Sequence, residues 1–399
     1  MDRPVTVALQ LGKKHHAFLS HRQINSGDQS FAIALEMIAL GMSPWYDNLA
    51  KSIEEDGMMR GVERSECFVL FCADGTLGQS WYVRLEACHA LDAGVPVVIV
   101  YETDVDRGAV LTKSGTFDAE TVLRDQVEAA AAKDTSAKGV AMTEKLRSFH
   151  AAVSSNSIRM VAFGRGKERN RMLSELMDAL GHPEVLVPEA KVPSAGKIDF
   201  VLVGNLANSV DQMDCLRLDL EAKGVAVAVE EGQGNIIRDG ILERTANLVV
   251  FLNDGVFTIS YVQDLVRQAK ERKIRLILPY EDDGRFGAKL NENGGFDFNL
   301  ICKEQAPEDL RGLHADIECV KYARRYKFRQ ATLGTILEQG GFRERRHRPG
   351  DEELMANLEK PFSEITLGPL IGRGSFGDVF QGVHRRHDVA VKMFQRHNE

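Results

Sequence analysis

Residues 62–75 read VERSECFVLFCADG, and residues 242–255 read LERTANLVVFLNDG. At a constant offset of 180 the two stretches share Glu, Arg, Val, Phe, Asp and Gly, six identities in fourteen positions. The same offset carries Ser80 to Ser260 and Leu85 to Leu265. Upstream, an offset of 183 carries Asn25, Ser26, Asp28, Gln29 and Gly41 to Asn208, Ser209, Asp211, Gln212 and Gly224. The second copy is therefore three residues shorter between about 47 and 62. Toward the far ends, residues 164–181 (GRGKERNRMLSELMDALG) resemble residues 324–341 (RRYKFRQATLGTILEQGG). A unit of about 150–180 residues is too long for a solenoid repeat and fits a duplicated domain.

Each copy alternates strand and helix. In the first, Ala17–Ser20 is a short apolar run, followed by a turn-rich QINSGDQ and then a helical pattern from Phe31 to Ala39 that stops before Gly41. Ser43–Tyr46, Cys67–Cys72 and Val95–Val100 complete the strands. Their near-continuous hydrophobicity leaves neither face for water, which predicts a parallel sheet with helices on both sides. In such sheets ligands gather outside the C-terminal strand ends, so chemistry is expected after Ser20, after Tyr46 and after Cys72. Residues 103–153 (including QVEAAAAKDTSAKG) and the second copy's FGAKLNENGGFDFN read as solvated insertions. The expected divisions are 1–183, a linker over 184–196, 197–343, a second linker over 344–361, and 362–399.

Composition narrows the function. The 399 residues carry 50 Lys and Arg against 58 Asp and Glu, a net charge of −8, with no basic pole for nucleic acid. The longest apolar stretch, Val95–Tyr101, is far short of a membrane span, and the N-terminus has no apolar signal region. Six cysteines without a CxxC pair form neither a disulfide nor a zinc framework. Cys67 and Cys72 fall on opposite faces of one strand and Cys88 on a helix, so all three read as buried free thiols. A cytoplasmic protein that engages neither nucleic acid nor membrane is expected, and no metal site.

AFLSH on the first strand, SPWYD on the second, and VERSECFVLFC leading into Ser80-x-Tyr82-x-x-x-Glu86 resemble the Toll/interleukin receptor (TIR) domain over about residues 12–183. The second copy resembles that family mainly through its likeness to the first. The resemblance implies two flavodoxin-like parallel-sheet domains in tandem and a role in innate-immune or cell-death signalling. Many members are self-associating scaffolds; others cleave NAD+ at the nicotinamide–ribose bond. That reaction asks little of a protein, because nicotinamide departs from a pyridinium that is already cationic. A single carboxylate beside the ribose can stabilise the oxocarbenium-like transition state.

The resemblance assigns the catalytic role to Glu86, four residues after Tyr82 and so on the same helix face. Trp81 is the alternative aromatic, although counting from it puts Leu85 where the acid belongs. The competing reading of Glu86 is a solvated helix acid. Ser20, His21 and Arg22, after the first strand, and Ser80, Trp81 and Tyr82 are the nucleotide-contact candidates, with a plain loop role open for the first three. Trp45 and Asp47 stand at the entry to the loop that in the family covers the NAD site, and Trp45 reads as core before cofactor stack. His15 and His16 read as strand lead-in. At the repeat offset Glu86 becomes Val266 and Tyr82 becomes Val262, while Asp264 replaces Arg84 as a stand-in acid on another helix direction. The second copy is expected to be inactive and to serve docking or oligomerisation.

The last segment changes character. Gly372-x-Gly374-x-x-Gly377-x-Val379, with Lys392 in VAVK fifteen residues beyond the last glycine, resembles the first three strands of a tyrosine-kinase-like protein kinase. The resemblance implies glycines lying over ATP phosphates and a lysine on the α/β-phosphates. Only seven residues follow Lys392, so the tail reads as the opening of a kinase cut short, with weak or absent ATP binding. Three functions follow as expectations: a tandem TIR signalling protein whose first copy cleaves NAD+, a non-catalytic scaffold that self-associates and recruits partners, and a truncated TIR–kinase.

Overall fold

The computed structural model describes residues 6–47, 55–112, 115–155, 158–188, 196–230, 240–286, 288–324, 326–342, 365–374, 377–384 and 387–393. The chain divides into two compact units, Met1–Gly341 and Phe342–Glu399.

The first copy runs β1 (His15–Ser20), α1 (Gln23–Ala39), β2 (Pro44–Trp45), α2 (Glu55–Glu63), β3 (Ser65–Cys72), α3 (Thr76–Gln79), α4 (Trp81–Asp92), β4 (Val97–Tyr101), α5 (Ala119–Lys133), α6 (Ala137–Ser154), β5 (Arg159–Ala162) and α7 (Arg169–Ala179). All neighbouring strands are parallel, in the order β2-β1-β3-β4-β5, which is the flavodoxin-like order. Every residue of β3 is buried, as a strand covered on both faces requires. Cys67, Val69 and Phe71 join the core under α1 and α7, while Phe68, Leu70 and Cys72 join the core on the opposite face.

The second copy repeats the plan: β6 (Ile198–Gly204), α8 (Leu206–Ala222), β7 (Val227–Val229), β8 (Thr245–Phe251), α9 (Ser260–Glu271), β9 (Arg275–Ile277), β10 (Pro279–Tyr280), α10 (Leu313–Asp316), β11 (Val320–Lys321) and α11 (Tyr326–Gln339). Its parallel sheet is ordered β7-β6-β8-β9, and a parallel bridge from Leu252 to Tyr280 leads on to the β10-β11 ladder. Strand register bears out the internal repeat: Ala17 pairs with Cys67 and Phe200 with Asn247, positions related by offsets of 183 and 180. Gly41 and Gly224 match as well, both left-handed at φ +81 and +82 directly after α1 and α8, a conformation that favours glycine.

Three expectations are corrected. QINSGDQ is not a turn but the first two turns of α1, with Ser26, Asp28 and Gln29 buried. Residues 103–153 are not a solvated insertion: α5 and α6 bury Leu123, Val127, Leu146 and Phe149 in the second-face core. In the second copy's Asn-rich segment, Phe296 and Phe298 pack around Tyr280 with ring centroids 5.1 Å from it. Of the expected linker over 184–196, Val185 and Val187 pack against the first core, and residues 189–195 lie outside the described residues.

The two copies meet through α1 and α8, which occupy equivalent places in the repeat. Arg165, after β5, donates Nη1 and Nη2 to the two Glu102 carboxylate oxygens at 2.7 and 2.8 Å. It also donates Nε and Nη2 to Asp211 of α8 at 2.8 and 3.0 Å. Arg324, after β11, repeats this atom for atom: Nη1 and Nη2 reach Glu281 at 3.0 and 2.6 Å, and Nε and Nη2 reach Asp28 of α1 at 2.9 Å each. Each arginine thus grips a glutamate of its own copy and an aspartate of the other, which is the reciprocity of a two-fold interface. Cys215 of α8 donates Sγ–H to the Asp28 carbonyl at 3.3 Å and shares the first copy's core, so the two copies pack as one body.

The second unit is an antiparallel meander of β12 (Ile365–Gly374), β13 (Gly377–His384) and β14 (His387–Met393). Gly372 pairs with Val379, Gly374 with Gly377, and Val379 with Lys392. The glycine-rich stretch therefore forms a hairpin, and the backbone of Lys392 lies beside that of Val379. Ser375 and Phe376 at its tip lie outside the described residues.

Candidate functional site

Ser20 is the last residue of β1, and its position pairs with Leu70 near the C-terminal end of β3. Ser80 precedes α4 as its N-cap, its hydroxyl accepting from the Val83 N–H. Six residues further on, the Glu86 side chain turns inward and is only 7 % exposed. Ser20 Oγ donates to Glu86 Oε2 at 2.6 Å. Burial pushes the Glu86 carboxyl up to about 8, the Ser20 hydroxyl opposes that rise, and the nearby Asp47 carboxylate adds to it. Glu86 is thus a buried acid at the C-terminal strand ends rather than a solvated helix residue.

The neighbouring candidates divide. Tyr46, after β2, is buried, donates its hydroxyl to the Gly27 carbonyl at 2.8 Å, and stacks with the His21 ring at 5.0 Å. His21 shares a 2.9 Å hydrogen bond with Gln23. Trp45 stacks on Phe18 at 4.2 Å and an interplanar angle of 9°. Glycine at 61 allows that stack, because a Cβ there would lie 2.9 Å from the indole nitrogen. Arg22 is a loop tether, donating to the Asp74 carbonyl at 3.1 Å and to Gln79. The Trp81 ring is approached by Lys138 and Arg84, 4.5 and 5.4 Å from its centre. Tyr82 is 56 % exposed, so the four-residue spacing places it on the Glu86 side of α4 but in solvent at the first turn. Ser20, Glu86 and Asp47 are brought together; residues 48–54 of the expected covering loop lie outside the described residues.

In the second copy, register places Val203 at the Ser20 position, and the repeat offset places Val266 at that of Glu86, both fully buried. Asp264 is exposed and paired with Arg267 at 3.0 Å. Tyr261, in the place of Trp81, donates its hydroxyl to the Gly204 carbonyl at 3.1 Å. Among the described residues, those strand ends hold no Ser–Glu pair.

Sequence reasoning missed a second polar cluster, at the N-terminal strand ends. His16, Glu66 and His182 are buried, with their ligand-type atoms within 4.8 Å of one another. His182 Nε2 lies 2.9 Å from Glu66 Oε2. The Ser43 N–H donates to His16 Nδ1 at 2.9 Å, which puts the proton of the neutral ring on Nε2. Burial holds that ring below its ordinary pKa, against the pull of Glu66. A protonated Nε2 is a hydrogen-bond donor and not a metal ligand; here it meets no acceptor among the described residues, so the tie runs from Glu66 of β3 to His182 after α7, with His16 held by Ser43. The three residues are 50 and 116 positions apart, with no motif spacing to announce them. The thiols offer no nucleophile, since burial pushes Cys67, Cys72 and Cys88 up to about 12.

Ser20 gives a first prediction. Removing a hydrogen bond that favours the ionised carboxylate raises the pKa of Glu86. For Ser20→Ala, the basic-side rise of any Glu86-dependent activity is expected to move upward by about half a unit or more. A pH–rate profile against the wild type checks it; an unchanged profile would separate Ser20 from Glu86.

No family model matches the chain, and no curated protein matches it. Among solved structures, a candidate sugar-binding protein from Salmonella typhimurium LT2 aligns over 80% of this chain and 88% of its own at 14% identity. Its TM-score is 0.21, too low to carry an argument about fold or function.

Proposed function

We propose that the first copy is a TIR-type domain that cleaves NAD+ at the nicotinamide–ribose bond, with Glu86 as its catalytic carboxylate. The observation that carries this reading is the buried Ser20–Glu86 pair at the C-terminal strand ends of a parallel sheet. A carboxyl raised to about 8 in the free protein would ionise when a cationic pyridinium riboside settles beside it, because opposite charges favour the anion. Ionised, it faces the positive charge that develops on the ribose as nicotinamide leaves, and water or a substrate hydroxyl then takes the ribosyl carbon. Asp47, Trp45 and His21 border the same strand ends and are assigned to the nucleotide.

The second copy, with Val266 where the acid would stand, is assigned a docking role. A non-catalytic scaffold is the second reading, favoured by the packing of the two copies into one body. The β12–β14 meander is assigned to the opening strands of a kinase N-lobe, with ATP near Gly372, Gly374, Gly377, Val379 and Lys392. No HRD or DFG sequence occurs in the 399 residues, so phosphoryl transfer is not proposed for them. No helix among the described residues is long and apolar enough to cross a membrane, and a cytoplasmic location is inferred.

The test is a time course of the full chain with NAD+ at low and at high protein concentration, read by chromatography for nicotinamide. Nicotinamide appearing in step with NAD+ loss supports the enzyme. Intact NAD+ at every concentration, with concentration-dependent assembly, would favour the scaffold.

A further inference from the structure

We propose that the second copy caps a self-pairing face on the first, and that a second copy of this chain fits that face when the cap is lifted. The argument uses only the interface between the copies and is independent of the NAD+ reading.

A two-fold interface has a consequence for each half. The first copy presents Asp28 to the Arg324 guanidinium and presents Arg165, held by Glu102, to Asp211. By the repeat offset, Asp211 stands where Asp28 stands, and the hydrogen bonds of Arg324 reproduce those of Arg165. Two first copies set about the same axis would therefore place Arg165 of each on Asp28 of the other. Arg107 reinforces the match, because it donates to the Leu206 and Ala207 carbonyls and approaches Asp211 at 3.4 Å. At the helix crossing the first copy offers Ala32, smaller than the Cys215 that stands in the same place on α8, so that position leaves room for a second α1. The first copy thus supplies both members of the arginine–aspartate pair that the pairing requires, while Phe31 and Ala34 stand where α8 presents Asp214 to Arg169 and Arg217 to Glu36. The cap wins in the intact chain because covalent linkage gives it a high effective concentration.

The test lifts the cap from the second copy's side and leaves the first copy's face untouched. Asp211→Ala with Arg324→Ala removes its charges; Cys215→Arg blocks the crossing by bulk instead. Sedimentation of the full chains at micromolar concentration is expected to show the wild type at about 44 kDa and both variants at twice that mass. Adding Asp28→Arg to either variant sets like charges across the new axis and is expected to return it to the monomer. A variant that keeps its far-UV circular dichroism and remains monomeric would overturn the proposal. So would a dimer that survives Asp28→Arg.

Discussion

Glu86→Gln is expected to abolish nicotinamide release and, at neutral pH, to make the protein more stable. An acid whose folded pKa is about 8, against about 4.5 unfolded, stays protonated in the folded chain while it ionises in the unfolded one. Below pH 4.5 the difference vanishes. As pH rises from there to 8 the unfolded state gains, so the wild type loses stability over that window. At pH 7 the loss amounts to about 3 kcal/mol before allowance for the amide that Gln buries, leaving a net gain of about 2 kcal/mol for the variant. Denaturant unfolding of both proteins at pH 4 and pH 7 checks it: the variant should be the less stable by about 1 kcal/mol at the lower pH and the more stable at the higher. A variant less stable at pH 7 would mean that Glu86 is ionised and paired in the folded chain.

The second large effect lies at the interface. Arg324→Met removes the one guanidinium that holds both Asp28 and Glu281, whose side chains are 5% and 1% exposed. Two buried carboxylates then lose a shared cation, and breaking such a site costs about 3–5 kcal/mol. The loss should grow with pH, because protonating the stranded carboxylates relieves it. Arg171→Ala provides the contrast. Its partners Glu168 and Glu175 flank it in solvent and its own side chain is 75% exposed, so no measurable change in stability is expected. Equal effects for the two substitutions would mean that the interface opens freely in solution.

The duplication was legible because β-strand cores tolerate few alternatives: Val69 and Phe71 recur as Val249 and Phe251, and register follows them. The start of α1 was not legible. Ser26, Asp28 and Gln29 have turn chemistry; Ser26 is satisfied by the Arg22 carbonyl, and Asp28 by an arginine 296 residues further on. In α5 the signal existed: Val122, Leu123, Gln126, Val127 and Ala130 are buried at helical spacing, but alanine and charge between them masked the face. At the site, the Ser80-to-Glu86 spacing located the acid, whereas its partner Ser20, 66 residues away, could be placed only at a strand end. Spacing alone also overstated Tyr82. Sharing a face with Glu86 does not mean sharing its burial, because Tyr82 sits in the opening turn of α4.

The most direct measurement compares nicotinamide release from NAD+ by the full chain and by its Glu86→Ala variant, at matched high concentration and across pH 6 to 9. The account predicts release by the wild type that climbs toward the alkaline end, and none by the variant at any pH. Release that persists in Glu86→Ala, or a wild type that leaves NAD+ intact throughout, would contradict it.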